Sequence, residues 1–277
     1  MSQLSTLQLS FGRAAAEGKS FCIAFDRAYQ TQALIHSFLS QGQLCDPPLV
    51  KALTDFLVPG DTFIDVGSHI GYLSLLALQM VGPAGRVYAF EPNPDTYGVL
   101  VANALLNGAG NFHTFNCAVG DKAGSAVLSI NAQDEGMSSL VFHAAGASQI
   151  SVHVTTLDRL AALVQFRHVR MLKIDVEGFE ENVINGAARM LRAGGIESLV
   201  FEVNNKIPHA PPHRDQAIRK FLHGLGYACY LIHPWLSEER WQEACGPHNY
   251  CRISEDAHID IGYGNILATK RHVEAAQ

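Results

Sequence analysis

From residue 63 onward, short apolar runs that end at a glycine or an acid alternate with segments of helical spacing. Phe63-Ile64-Asp65-Val66 reads as a buried strand that breaks at Gly67, and Tyr72 to Val81 as an apolar helix stopped by Gly82-Pro83. Arg86 to Phe90 is a second strand. The next helix runs from Thr96 to Leu106, capped by Asn93 with Pro94 in its first turn and ended by Asn107-Gly108. Phe112 to Cys117 makes a third strand. Between residues 122 and 157 the pattern changes to short alternating runs at Ala126–Ile130, Ser139–Phe142 and Ile150–Val154, which predict an antiparallel insertion.

The earlier pattern resumes with a strand over Val169–Val176, a helix over Phe179–Leu191 and a strand over Ser198–Val203. A loop, Asn204 to Pro212, leads to a helix with Ile218, Phe221, Leu222 and Leu225 on its core face. Ala228–Ile232 and Asn265–Ala268 supply two last strands, the latter expected to be antiparallel to its neighbours. Strands separated by helices imply crossover connections. The expected fold class is therefore α/β, a doubly wound, mostly parallel, Rossmann-like sheet of about seven strands. It carries an N-terminal extension over residues 1–52, a main domain over 53–277 and the β insertion at about 122–157.

Such a sheet binds ligands beyond the carboxyl ends of its strands, so strand-terminal residues are the candidates for chemistry. A nicotinamide dinucleotide site wants Gly-x-Gly-x-x-Gly, whose middle glycine admits a pyrophosphate. Here Gly67 and Gly71 enclose Ser68-His69-Ile70, and Asp65 at the strand mouth would repel a pyrophosphate but attract the ammonium of an amino acid. That favours S-adenosyl-L-methionine, leaving S-adenosyl-L-homocysteine as product, over a nicotinamide-dependent oxidoreductase. Glu91 ends the second strand twenty residues after Gly71, where its two oxygens suit the hydroxyls of a ribose. Asn116-Cys117-Ala118-Val119 would line the adenine.

The fourth strand ends in Lys173-Ile-Asp175-Val-Glu177-Gly178-Phe-Glu180, which alternates Lys173, Asp175 and Glu177 onto one side. The fifth ends in Glu202-Val-Asn204-Asn205. Asp175 is expected to face the methionine part of the cofactor or the acceptor. Glu180 and Glu181 read as first-turn acids answering a helix dipole. Asp175, Glu202 and Asn204 also offer hard oxygens of the kind Mg²⁺ accepts, so a metal-assisted variant acting on a diol is an alternative, although acids at neighbouring strand ends are also common without a metal and no metal ligand is assigned.

These motifs together resemble the FkbM family of S-adenosylmethionine-dependent methyltransferases. The resemblance lies in Gly60-Asp61, Asp65-Val-Gly67-Ser-His69-Ile-Gly71-Tyr72, Phe90-Glu91-Pro92, Ala118-Val-Gly120-Asp121, Thr156-Leu157-Asp158 and Lys173-Ile-Asp175-Val-Glu177-Gly178, over roughly residues 55 to 205. It implies a class I methyltransferase fold and O-methylation of a hydroxyl on a sugar, glycolipid or natural product. N- or carboxylate methylation and a non-catalytic binding protein are the alternatives. The expected cofactor set is Asp65, Gly67, Ser68, His69, Gly71, Tyr72, Glu91, Pro92, Asn93, Cys117, Ala118 and Asp175. The expected catalytic set is His69, Asp175 and Glu202, with Asp175 or Glu202 orienting the acceptor. His69 stands where the family often carries Asn, and an ordinary imidazole pKa near 6.5 suits it to proton transfer.

Composition sets the setting. The chain has 277 residues, 48% of them hydrophobic, and a net charge of -6, which gives no general attraction for nucleic acid or an anionic membrane. A small-molecule acceptor is the expected partner, and a homodimer is compatible with the pattern. The first twenty residues have no signal-peptide core and no apolar run approaches a membrane span, so a cytoplasmic location is expected. Six cysteines lie scattered without a disulfide spacing, and Cys245-Gly-Pro-His248-Asn-Tyr-Cys251 is a weak match to a zinc site. His209, His213, His233, Tyr230, Trp235, Trp241 and Tyr250 are further candidates for an acceptor pocket or its core.

Overall fold

The computed structural model describes residues 4–10, 20–131, 134–142, 146–164, 168–204, 214–232, 249–257 and 263–273. Asn205, His209, His213, His233, Trp235, Trp241, Cys245 and His248 lie outside the described residues. Elements follow in the order β1 (Ser5–Ser10), β2 (Ser20–Phe25), α1 (Gln30–Ser40), α2 (Pro47–Phe56), β3 (Thr62–Val66), α3 (Tyr72–Val81), β4 (Arg86–Phe90), α4 (Pro94–Leu106), β5 (Phe112–Phe115) and β6 (Ala118–Val119). Next come β7 (Gly124–Ile130), a 3₁₀ turn (Glu135–Met137), β8 (Ser148–Thr155), α5 (Leu157–Val164), β9 (Val169–Ile174), α6 (Glu180–Gly186), α7 (Ala188–Arg192) and β10 (Ile196–Asn204). The chain closes with α8 (Arg214–Gly224), β11 (Ala228–Ile232), β12 (Tyr250–Ile253) and β13 (Tyr263–Thr269).

Eight strands form the central sheet in the order β12-β11-β13-β10-β9-β3-β4-β5. The five strands β10, β9, β3, β4 and β5 are mutually parallel, and β13 runs antiparallel between β10 and β11, as expected for a last strand. The expected count was about seven. The additional strand is β12, which pairs antiparallel with β11 and contains Tyr250 and the Cys251 of the weak zinc match, so Cys251 extends the sheet edge.

Strict alternation assigns the two faces. Phe63, Val87, Ala89, Met171, Val200 and Leu267 pack with α1 to α4 in one core, whereas Ile64, Val66, Tyr88, Leu172, Ile174, Phe201 and Ile266 pack in a second core with α5 to α8. Asp65, Lys173 and Glu202 share the parity of Phe63, Met171 and Val200, so they point to the α1–α3 side, where β3, β9 and β10 lie next to one another.

Chain order reverses at β3. From it the chain winds outward to β4 and β5, then returns to build β9 and β10 on its other side. The crevice between the ends of β3 and β9 is thus a topological switch point, where neither neighbouring loop covers the sheet.

Two expected elements differ. The helix over Phe179–Leu191 is split into α6 and α7 at Ala187, because Gly186 abuts the Gly120 carbonyl, where a Cβ would sit 1.9 Å from the oxygen. Asn185-Gly186 is also the weakest helix-forming pair in that run. The expected strand at Ser139–Phe142 forms only a bridge between Ser139 and Ser129. Its Ser139 hydroxyl accepts from the N–H groups of Val141 (3.0 Å) and Phe142 (3.2 Å), which bends the chain into a turn. The rest of the insertion, β7 and β8, pairs antiparallel as expected, but β6, which precedes it, joins the other edge of β8 in parallel, so the small sheet has the order β6-β8-β7 and is mixed.

The N-terminal residues form the β1-β2 hairpin with α1, and α2 runs across residues 52 and 53 into the same core as α3. Asn103 of α4 and Asn107, the C-cap of that helix, hydrogen-bond β2 as a strand would. Asn103 accepts from Ala24 N–H at 2.6 Å and Asn107 from Cys22 N–H at 2.9 Å. Asn103 also donates to the Ile70 carbonyl at 2.8 Å, which ties the hairpin to the turn after β3. Among the described residues no helix is long and apolar enough to cross a membrane.

Candidate active site

The turn from β3 to α3 is built on two glycines with different constraints. Gly67 has φ 74°, and a Cβ there would lie 1.7 Å from the Asp175 carbonyl oxygen, so β9 ends directly against it. Gly71 caps α3 at φ 85°, and its Cβ would meet Leu100 at 2.6 Å. The N–H groups of Gly67 and Ser68 both reach the Phe90 carbonyl at 3.0 Å, which staples the turn to the end of β4. His69 sits between the glycines at φ 53°, a left-handed conformation unusual for a residue with a Cβ.

That geometry aims the His69 N–H at Glu91 Oε2, 3.0 Å away, while Asn93 N–H donates to Glu91 Oε1 at 2.9 Å. Each oxygen keeps a lone pair for a further donor. Burial raises the Glu91 carboxyl above its ordinary range, and the nearby His69 and the two N–H bonds offset part of that. Asn116 donates to the carbonyls of Glu91 at 2.9 Å and Pro92 at 3.2 Å, fixing the loop beneath the carboxylate.

Lys173 organises the centre. Its Nζ donates to the Gly67 carbonyl at 2.7 Å and lies 3.2 Å from Asp65 Oδ1 and 3.3 Å from Asp175 Oδ2. Burial alone would lower the ammonium pKa, but Asp175 and Asp65 outweigh it and the net direction is upward. Asp65 is 0% exposed and also accepts from the Ser74 hydroxyl at 2.6 Å. Its carboxylate is therefore already matched by an internal cation and locks the turn from below, a different position from the open strand mouth expected for it.

Asp175, Glu177 and Glu202 meet at the ends of β9 and β10, with one oxygen from each within 4.8 Å of the others. Desolvation pushes the Glu177 carboxyl up to about 8, reinforced by Asp175 and Glu180. Glu202, buried on β10, is raised well above its ordinary value by desolvation first and by Asp175 and Glu177 next, with the Tyr263 phenol opposing. Glu180 accepts from the N–H groups of Gly178 (3.0 Å) and Val176 (3.3 Å), closing the start of its own helix as a first-turn acid should.

A roof comes from the insertion. Glu135 in the 3₁₀ turn, its side chain fully buried, lies 2.9 Å from His69 Nε2. Asp134 is hydrogen-bonded by Thr31 of α1, and Ser139 donates to the Glu177 carbonyl at 2.7 Å. The insertion therefore spans from the β3 turn to the end of β9 and is anchored at both.

Together these walls enclose a cavity of about 610 Å³. Asp65, Gly67, Ser68, His69, Tyr72, Glu91, Pro92, Cys117, Ala118, Asp175 and Glu202 all line it. Gly71 and Asn93 do not: they stand behind it as the caps of α3 and α4, where Asn93 accepts from Asp95 N–H at 3.1 Å. Tyr72 turns its hydroxyl to the Cys45 backbone, 3.2 Å from both N and O. Burial holds the Cys117 thiol up at about 11, which makes it a neutral wall. Tyr230 and Tyr250 belong to the core on the α1–α4 side, not to the cavity.

Sequence reading missed Lys173 as a site residue, and with it Glu135, Tyr263 and Asp46, which also line the cavity. For Lys173 the signal was present, a cation between the apolar Leu172 and Ile174 near the end of the strand Val169–Ile174, where it precedes Asp175 and Glu177. Asp134-Glu135-Gly136 reads only as a polar turn, and nothing local marks Glu135.

A family described as the Methyltransferase FkbM domain matches residues 65–229, more than half of the chain. "Methyltransferase 1" of Beauveria bassiana (strain ARSEF 2860) is 28% identical over 148 residues, which is 46% of this chain and 59% of that protein. "31-O-demethyl-FK506 methyltransferase FkbM" of Streptomyces tacrolimicus is 41% identical over 68 residues, 24% of this chain and 25% of its own. The chain thus spans less than two thirds of either curated relative it matches. Among solved structures, a SAM-dependent O-methyltransferase from Thermotoga maritima superposes with a TM-score of 0.47 at 14% identity, over 87% of this chain and 73% of that one. With the match running from Asp65 through the Lys173 strand to the β11 residue Cys229, the chain belongs to the FkbM methyltransferase domain family.

Proposed function

We propose that this protein transfers a methyl group from S-adenosylmethionine to a hydroxyl of a small-molecule acceptor, such as a sugar, a glycolipid or a natural product. The observation that carries the reading is Glu91, held by the N–H groups of His69 and Asn93 at the rim of the Gly67 turn. A carboxylate so fixed is poised to accept a vicinal diol. The neutral thiol of Cys117 and the methyl of Ala118 give an uncharged wall suited to adenine, and the acidic centre suits a ligand of net positive charge. When bound, the cofactor supplies a methyl group already activated by its sulfonium.

The work left to the chain is positioning and proton removal. Asp175 and Glu202 orient the acceptor hydroxyl at the ends of β9 and β10. Asp65 acts through the turn it anchors, since Lys173 already matches its charge. Glu135 accepts the Nε2 proton of His69, which leaves Nδ1 unprotonated as the proton acceptor. Thr31, Leu34, Ile35, Cys45 and Asp46 line the same cavity, which supports residues 1–52 as a cap over the acceptor. The name of the Streptomyces relative, a 31-O-demethyl-FK506 methyltransferase, supports an oxygen acceptor.

Incubating the protein with labelled S-adenosylmethionine and fractionated source extract identifies the molecule that acquires the label. In calorimetry, S-adenosylhomocysteine binds the native chain, and Glu91→Ala weakens it by about 100-fold or more through loss of two charge-assisted hydrogen bonds. Glu202→Ala spares binding and lowers turnover. Failure of the native chain to bind the product, or unchanged affinity in Glu91→Ala, overturns the reading.

A further inference from the structure

The cavity is lined by seven carboxylates, Asp46, Asp65, Glu91, Glu135, Asp175, Glu177 and Glu202, against one ammonium among the described residues, that of Lys173. Lys173 is already committed to Gly67, Asp65 and Asp175. S-adenosylmethionine brings a sulfonium, an ammonium and a carboxylate, one net positive charge, so its binding leaves most of the acid unmatched. The imbalance concentrates at the ends of β9 and β10.

We infer that Asp175, Glu177 and Glu202 bind a divalent cation of the hard, oxygen-preferring class, Mg²⁺ or Mn²⁺, at the acceptor end of this cavity. Two independent observations point to it. First, one oxygen of each carboxylate lies within 4.8 Å of the others, the span that a single ion bridges with bonds of about 2.0–2.6 Å. Second, Glu202 is 4% exposed, yet its Oε2 has no hydrogen-bond partner among the described residues, although it sits in the interior beside two other acids. A buried carboxylate oxygen with no donor is where a cation is wanted.

The neighbours divide the remaining lone pairs in a way that leaves room for the ion. Lys173 approaches Asp175 from Oδ2, and Asn204 donates to Glu177 Oε2 at 3.3 Å, so each of these carboxylates has a second oxygen to offer. Three carboxylates and no imidazole or thiolate is a donor set for Mg²⁺ or Mn²⁺ and a poor one for Zn²⁺. Three protein oxygens leave open positions on an octahedral ion, and these face the cavity. On the proposed methyl-transfer reading, an acceptor hydroxyl taking one of them loses its proton more easily.

The test uses the full chain after EDTA treatment. Mn²⁺ is titrated at pH 7.5 by the paramagnetic resonance signal of the free ion, and S-adenosylhomocysteine binding is measured on the same sample. One Mn²⁺ per chain, displaced by Mg²⁺ and weakened at least about 10-fold in Glu177→Gln and in Glu202→Gln, supports the site. Native protein that binds Mn²⁺ no better than the double variant overturns it. For variants that fail to fold, Tb³⁺ provides a second readout. The Tyr263 ring lies beside Glu202 and sensitises Tb³⁺ emission, and Tyr263→Phe, which keeps all three acids, dims it. Unchanged emission places the ion elsewhere and overturns the site. Product binding without Mn²⁺ refutes the cation and leaves the methyltransferase reading standing. Mn²⁺ binding without product binding does the reverse.

Discussion

Lys173→Met isolates the residue on which the site's electrostatics turn. Methionine keeps most of the apolar stem but removes the charge from Asp65, which is 0% exposed, and from Asp175, and it frees the Gly67 carbonyl. Removing one partner of a buried ion pair costs about 3–5 kcal/mol, because the other charge stays buried without compensation. Against a typical total of about 5–15 kcal/mol the variant still folds but unfolds at much lower denaturant. Guanidinium unfolding followed by circular dichroism measures the loss, which appears in the midpoint at constant slope.

The pH dependence has a definite sign. Burial already raises the Asp65 carboxyl, and Lys173 is the largest opposing influence, so the variant's Asp65 takes up its proton at higher pH. A group that binds protons more tightly folded than unfolded favours the folded state as pH falls. The gap between native protein and Lys173→Met therefore narrows from pH 8 toward pH 5. Adding Asp65→Asn to Lys173→Met restores much of the loss, a coupling of about 2 kcal/mol or more. A cost below about 1 kcal/mol, or strictly additive double-variant behaviour, refutes the assignment of Lys173 as the buried counter-ion.

Two other perturbations test separate parts of the cavity. Gly67→Ala drives a Cβ into the Asp175 carbonyl at a left-handed φ, so it lowers stability by about 2–4 kcal/mol and abolishes product binding, measured by thermal unfolding and calorimetry. Asp46 caps α2 by accepting from Leu49 N–H at 3.2 Å, yet burial pushes its carboxyl from 3.8 up to about 6. Because the folded value is raised, Asp46 disfavours folding above pH 6 and has no such effect below pH 4. Asp46→Asn, which keeps the capping oxygen, raises stability by about 1–3 kcal/mol at pH 8 and leaves it unchanged at pH 4 in denaturant titrations.

Much of the fold was legible because its signals are local. The short apolar runs at Phe63–Val66 and Val169–Ile174 mark strands, residue parity along each assigns its faces, and the bounds of α3 and β4 follow from Gly71, Gly82-Pro83 and Phe90. Glu91 was legible too, as the acid that ends the strand after a two-glycine turn. Less local features escaped. The break between α6 and α7 depends on Gly120, which lies 66 positions before Gly186, and the strand at Tyr250–Ile253 forms because β11 offers it an open edge.

The sequence alone determined where the backbone turns, which residues face the core and which acids stand at strand ends, because those depend on neighbours within a few positions. Tertiary structure decided which charges meet. Lys173 finds the Gly67 carbonyl 106 residues away because β9 returns beside β3, and His69 finds Glu135 because the insertion folds back over the turn. Desolvation makes those encounters matter: a carboxylate at a strand end is an ordinary acid in water. Once the sheet order has buried Asp65, Glu202 and Glu135 around one cavity, their energies are set by the partners each meets there: Lys173, Tyr263 and His69.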